Sequence, residues 1–129
     1  MILLDTHVVV WLYKDPLVLV PDAVLKRLDV EEIGLSPVVN LELQYLYEIG
    51  RLNVPSQEII NYLAPRLELT FTDPSSMSVF SEALSLQWTR DPFDRLLAAH
   101  AASTSSVLVT KDRKIRENLE HAWWPAPTE

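Results

Sequence analysis

Apolar runs along this chain are short, and each stops abruptly at a polar or turn-forming residue. Ile2-Leu3-Leu4 ends at Asp5, the pattern of a strand covered on both faces, as in a parallel sheet. Val107-Leu108-Val109 repeats it before Thr110-Lys111-Asp112, and Ile33-Gly34-Leu35 and Leu69–Phe71 supply two further strand candidates. Between them the spacing predicts helices. Thr6–Tyr13 is closed by Lys14-Asp15-Pro16, and Pro21–Val30 carries a proline in its first turn. Ser36 opens a helix at Pro37 as its cap and Gly50 closes it, where a left-handed residue is wanted. Ser56–Leu67 reads as another. Asp73-Pro74 and Asp91-Pro92 each combine a capping carboxylate with a first-turn proline, opening helices that run to about Leu86 and about Ser103. A last helix covers Ile115–Leu119.

Strands alternating with helices predict an α/β fold, a parallel sheet with helices on both faces. Such sheets bind ligands at the carboxyl ends of their strands. Asp5 and Asp112 both lie at or just past such ends.

With 129 residues, 48% of them hydrophobic, the chain suits one domain spanning 1–129 and leaves no room for two. The absence of cysteine excludes disulfides and thiolate metal sites. The apolar stretch Met1–Tyr13 is interrupted by Asp5 and His7 and is too short to cross a bilayer. It has neither a basic leader nor a small-residue cleavage site, so a cytoplasmic protein with no membrane association is expected. The net charge of −7 argues against gripping nucleic acid through bulk electrostatics.

Each acidic residue of interest has two readings. Asp5 can be an N-cap or a site residue. Glu42 falls inside a stripe formed by Val38, Val39, Tyr45, Leu46 and Ile49. A carboxylate on such a face must be ion-paired or bound to a cation. Asp91 and Asp94, in Asp-Pro-Phe-Asp, resemble a capping box, which explains Asp91 fully and Asp94 only in part. The helix beyond is apolar nearly all round, so Asp94 should open into a sheltered cleft. Asp112 can cap the last helix, and Thr110 can be a capping hydroxyl or steady a neighbouring carboxylate. Taken together, four carboxylates from four segments are placed near one sheet edge, where they repel one another unless a cation neutralises them. Oxygen donors select Mg²⁺ or Mn²⁺ over zinc. His7, His100 and His121 show no zinc-ligand spacing and read as packing or surface residues. Gly34 and Gly50, the only glycines, cannot form a phosphate loop.

The ordered set Leu3-Leu4-Asp5-Thr6-His7 with Trp11, Ser36 with Glu42, Gly50-Arg51-Leu52, Arg90 through Ala99 and Leu108 through Asp112 resembles the PIN-domain family, specifically its VapC-like toxins. The resemblance covers nearly the whole chain. It implies a parallel sheet of about five strands, and it implies Asp5, Glu42, Asp94 and Asp112 as the catalytic acids. Asp5, Asp94 and Asp112 are then the metal ligands, with Thr6, Asp91 and Thr110 in support. It further implies a Mg²⁺-dependent ribonuclease (Mn²⁺ as the substitute), a homodimer, and inhibition by a small antitoxin. RNA is the implied substrate, its class left open. Arg51, Arg90, Arg95, Lys111, Arg113 and Lys114 lie near the motifs as candidates for a basic rim. Trp123-Trp124-Pro125 offers either a partner surface or a segment packed back on the domain. A silent PIN-like binding module is the alternative. A haloacid-type phosphatase would want aspartate where His7 stands, and a receiver domain is poorly matched by Phe71-Thr72-Asp73-Pro74.

Overall fold

The computed structural model describes residues 1–127. Among them, five strands form one wholly parallel sheet: β1 (Ile2–Leu4), β2 (Ile33–Leu35), β3 (Thr70–Phe71), β4 (Val107–Val109) and β5 (Ala122–Trp123), in the spatial order β3-β2-β1-β4-β5. The order reverses between β1 and β4, which pair in register from Ile2↔Val107 to Leu4↔Val109. Every residue of β1 and β2 is buried, which accounts for runs that are apolar throughout instead of alternating.

Eight helices flank the sheet among the described residues: α1 (Thr6–Lys14), α2 (Pro16–Leu19), α3 (Asp22–Val30), α4 (Pro37–Glu48), α5 (Ser56–Leu67), α6 (Ser76–Ser85), α7 (Pro92–Ser103) and α8 (Arg113–Asn118). Their caps follow the sequence where hydroxyls and carboxylates precede proline. Ser36 Oγ accepts Val38 N–H at 3.2 Å, and Asp91 accepts Phe93 N–H at 2.9 Å and Asp94 N–H at 3.1 Å. The expected cap at Asp73-Pro74 does not form. Ser75 caps α6 instead, its hydroxyl accepting Ser78 N–H, and Asp73-Pro74 extends the preceding connection. α8 also starts earlier than the pattern suggests, at Arg113.

The core holds Ile2, Leu3, Val8, Val24, Ile33, Val39, Leu43, Ile59, Leu97 and Leu108, all fully buried. On α4 the buried residues are Val39 and Leu43. Tyr45 and Ile49, expected inside the stripe, are 45% and 48% exposed, so the inward face of α4 is narrower than its apolar spacing implies. α7 is buried over Leu97–Ala101, and its alanines let α6 approach through Val79 and Ala83. The aromatic tail packs back on the domain: the Arg27 guanidinium lies 4.5 Å from the Trp123 ring centroid, and Trp124 meets Trp11. No described helix is long and apolar enough to cross a membrane.

Candidate active site

The chain reverses its strand order at the carboxyl ends of β1 and β4, and this is where an open parallel sheet leaves a crevice. Asp5 leaves β1 there, tied to β4 by its N–H to the Val109 carbonyl at 3.0 Å. The residue is 4% exposed, and each carboxylate oxygen accepts one hydrogen bond. Oδ1 accepts Thr6 N–H at 2.7 Å, and Oδ2 accepts the Thr110 hydroxyl at 2.6 Å. Asp5 therefore caps α1 and faces the crevice at once.

Thr110, wholly buried, joins two strand ends: its oxygen also accepts Asp112 N–H at 3.0 Å. Asp112 in turn caps α8 through Ile115 N–H at 3.0 Å. Thr6, buried beside Asp5, donates its hydroxyl to Glu42 Oε1 from the neighbouring α4. Asp94 stands in the first turn of α7, and its carboxylate accepts no hydrogen bond among the described residues. Asp5, Glu42, Asp94 and Asp112 line one cavity of about 310 Å³, together with Thr6 and His7. Asp91 does not line it, being exposed and occupied as the α7 cap.

Crowding shows in the acidities. Burial, then the charges of Asp91, Asp5, Asp112 and Glu42, push the Asp94 carboxyl up to about 7. Glu42 is also raised, by burial first and by Asp5 and Asp91, against the lowering effect of the Thr6 hydroxyl. No lysine or arginine pairs with any of the four carboxylates among the described residues. Nor do three acidic or histidine side chains converge tightly enough there to enclose an ion. The cavity thus offers dispersed carboxylate oxygens and no ready-made protein cage for an ion among the described residues.

His7 belongs to this site, contrary to its reading as packing or surface. Its Nε2 accepts Lys111 N–H at 3.1 Å, which leaves the proton on Nδ1, 3.4 Å from Asp5 Oδ2. Burial lowers its pKa, although Asp5 and Asp112 pull the other way. Trp11 and Lys14 line the cavity too. His7, Trp11 and Lys14 recur at helical spacing on α1, a signal masked by the run of valines between them. His100, by contrast, is buried against Ser36, its Nδ1 2.8 Å from the hydroxyl.

Of the six basic residues near the motifs, Arg51 lines the cavity. It is aimed there by the end of α4: Gly50 takes φ +81°, its N–H bonds the Tyr47 carbonyl at 3.1 Å, and Arg51 N–H bonds that of Leu46 at 2.8 Å. Lys111 stands beside the cavity, its Nζ 5.8 Å from the Trp11 ring centroid. Arg95 is committed to the carbonyls of Ala83 and Leu84, Arg90 to that of Gln87, and Arg113 to Glu117. Lys114 is exposed and does not line the cavity. A larger groove of about 480 Å³ beside α4, α6 and α7 is nearly all apolar, with Asp73 its one carboxylate among the described residues, so the acid chemistry does not sit there.

The PIN domain family model matches residues 2–118. Ribonuclease VapC22 of Mycobacterium tuberculosis is 30% identical over 119 residues, 91% of either chain. Among solved structures, VapBC2 from Rickettsia felis, bound to a DNA fragment from its promoter, matches with a TM-score of 0.66 at 22% identity, covering 92% of this chain and 93% of that one. DNA-bound VapBC from Salmonella typhimurium matches with a TM-score of 0.65 at 20% identity, covering 95% and 96%. FitAcB from Neisseria gonorrhoeae matches with a TM-score of 0.55 at 24% identity, covering 95% of each chain.

Proposed function

The chain belongs to the PIN-domain family, and from that premise we propose that it is a Mg²⁺-dependent endoribonuclease and the toxin of a toxin–antitoxin pair. One observation carries the reading: Asp5, Glu42, Asp94 and Asp112 share a cavity at the strand-order reversal, and among the described residues no cationic side chain pairs with them. The similarity to a ribonuclease over most of both chains supports it further.

In this reading Asp5, Asp94 and Asp112 hold the ion, and Mn²⁺ can replace Mg²⁺. When bound, the ion acidifies a coordinated water and offsets the charge that gathers on the phosphate oxygens. Thr6 and Thr110 fix the Asp5 carboxylate, so its orientation does not have to be found anew for each substrate. His7, neutral, supports Asp5 without competing for the ion. Glu42 spends one oxygen on Thr6 and keeps the other to orient the attacking water and take its proton, a role its raised pKa suits. Arg51 and Lys14, on the cavity wall, hold the phosphate of the incoming strand against an otherwise acidic chain. Asp91 acts at one remove, by capping α7 beside Asp94.

The reading takes residues 1–129 as one domain, supported by β5, which lies past the matched segment yet pairs with β4; residues 128–129 fall outside those described. The exposed Leu41, Tyr45 and Phe80 beside the apolar groove are assigned to a second copy of the chain in a homodimer. A small antitoxin would silence the toxin in the cytoplasm by placing an arginine or lysine among the carboxylates, which the net charge of −7 favours. The test is incubation of the purified protein with total RNA and Mg²⁺ or Mn²⁺ beside Asp5→Asn and Asp94→Asn. Cutting by the native protein alone, stopped by chelator, is expected. Equal cutting by all three would assign the activity to a contaminant, and no cutting by any would favour a silent module.

A further inference from the structure

Away from the carboxylates, the wall of the cavity is aromatic. His7 and Trp11 line it with ring centroids 4.8 Å apart. Trp124, from the segment after β5, stands edge-on to Trp11 at 6.0 Å and to His7 at 6.5 Å. All three rings are partly exposed. Past Trp124 the wall opens into a second cleft of about 570 Å³, floored by Trp124 and Pro125 and flanked by Lys111 and Arg116. The Arg116 guanidinium donates to the Lys111 carbonyl at 3.2 Å and so stiffens the turn between the two clefts. Among the described residues Asp22 is the one acid on this lining, so two cations face one carboxylate, a local excess of positive charge in a chain of net −7.

We propose that this aromatic wall and the cleft behind it form a nucleotide subsite, in which an unpaired base next to the scissile phosphodiester stacks on Trp124 and Trp11 while Lys111 and Arg116 hold its phosphate. The inference rests on the ribonuclease reading and says which RNA the site takes. Every base has a flat face to offer an indole, so the subsite is tolerant of sequence. Bases within an A-form duplex are stacked on one another and cannot reach a protein ring, so it demands single-stranded segments, loops or bulges. His7 contributes a ring that cannot turn, because Lys111 N–H holds Nε2 and Asp5 faces Nδ1. The platform is thus tied directly to the carboxylate cluster.

The experiment is equilibrium binding of a fluorescent single-stranded RNA of about a dozen nucleotides, long enough to cover one such groove, in chelator so that nothing is cut, read by anisotropy. Two comparisons are made: native protein with the same oligonucleotide made abasic, and Trp124→Ala and Trp124→Phe with the ordinary one. Stacking predicts that removing bases, or the indole, weakens binding by at least roughly five- to 150-fold, the range for one stacked base. Phenylalanine should restore most of the loss. A native protein that binds ordinary and abasic RNA within about twofold overturns the proposal, since stacking exceeds that margin, and that comparison does not depend on any variant folding. Failure to bind either RNA, with dimerisation in sedimentation lost in Trp124→Ala, would assign the face to a second copy and equally overturn it. Base-dependent binding by a native protein that cuts nothing in Mg²⁺ would sustain the subsite while removing the nuclease reading. Cutting without base dependence would do the reverse.

Discussion

Replacing Asp94 by asparagine should stabilise the metal-free protein at neutral and alkaline pH while abolishing cleavage. The Asp94 carboxylate accepts no hydrogen bond among the described residues, so the amide removes charge without breaking a contact. Its carboxyl moves from an ordinary 3.8 to about 7 in the folded chain. At roughly 1.4 kcal/mol per pKa unit, that is at most about 4 kcal/mol, and screening in a half-open cavity reduces it to about 1–2 kcal/mol. Loss of a negative charge in the first turn of α7 opposes this by about 0.3–1 kcal/mol. The sign follows from linkage. The folded pKa is raised, so this group's contribution is fully present below about pH 4 and is lost as pH climbs through about 7. The asparagine variant suffers no such loss. In circular-dichroism melts with chelator, Asp94→Asn and the native chain should therefore differ little at about pH 4, where the folded carboxyl is protonated and neither the repulsion nor the dipole term acts. By about pH 8 the variant should melt about 2–6 °C higher. A variant that melts lower at the alkaline end, or a difference that does not grow across that pH range, would show that burial and like charge do not penalise the ionised Asp94.

Two further outcomes concern the site and one the packing of β2. Thr110→Val removes the donor to Asp5 and leaves Asp112 N–H without its acceptor; the melt should report a cost of about 2 kcal/mol, and RNA-cleavage kinetics a loss of roughly 10- to 100-fold. Gly34→Ala would place a Cβ 2.6 Å from Met1 Sδ, 2.8 Å from Thr72 Cγ2 and 2.9 Å from Leu3 Cδ2; overpacking beside β1 should cost about 1–3 kcal/mol in denaturant titration. Arg51→Ala should leave stability within about 0.5 kcal/mol, raise KM for RNA, and flatten the salt dependence of RNA binding by about 0.7 in the log–log slope.

The parts of the site that can be read from the sequence are those where chain chemistry changes within one residue. β1 gives way to Asp5 and β4 to Thr110-Lys111-Asp112, because a strand buried on both faces tolerates no carboxylate and the first residue past it does. α7 is legible through its cap, proline and alanines. β5 leaves no trace in the pattern because two residues carry no period, and α2 leaves none because four do not make an amphipathic face. The start of α6 is ambiguous since Asp73-Pro74 and Ser75 carry equivalent capping chemistry, and only the packing of α6 against α7 chooses between them. On α4, apolarity marks Tyr45 and Ile49 as inward, although both stay about half exposed, with the Phe93 ring against Tyr45. The part played by His7 is hidden because it lies in bonds to Lys111 and Asp5, the first of them 104 positions away.

A divalent ion that takes the place of protons and relieves repulsion among these carboxylates must release protons as it binds, and that release can be counted. With Asp94 titrating at about 7, a cation that forces it to ionise should expel about half a proton per ion near pH 7 and almost none at about pH 9. Calorimetric titration of Mg²⁺ or Mn²⁺ into the protein, in two buffers of different ionisation enthalpy, gives that number. About half a proton should be released at neutral pH, and none in Asp94→Asn. Binding with no proton release at neutral pH, or with the same release in native protein and variant, would contradict this exchange of protons for the ion.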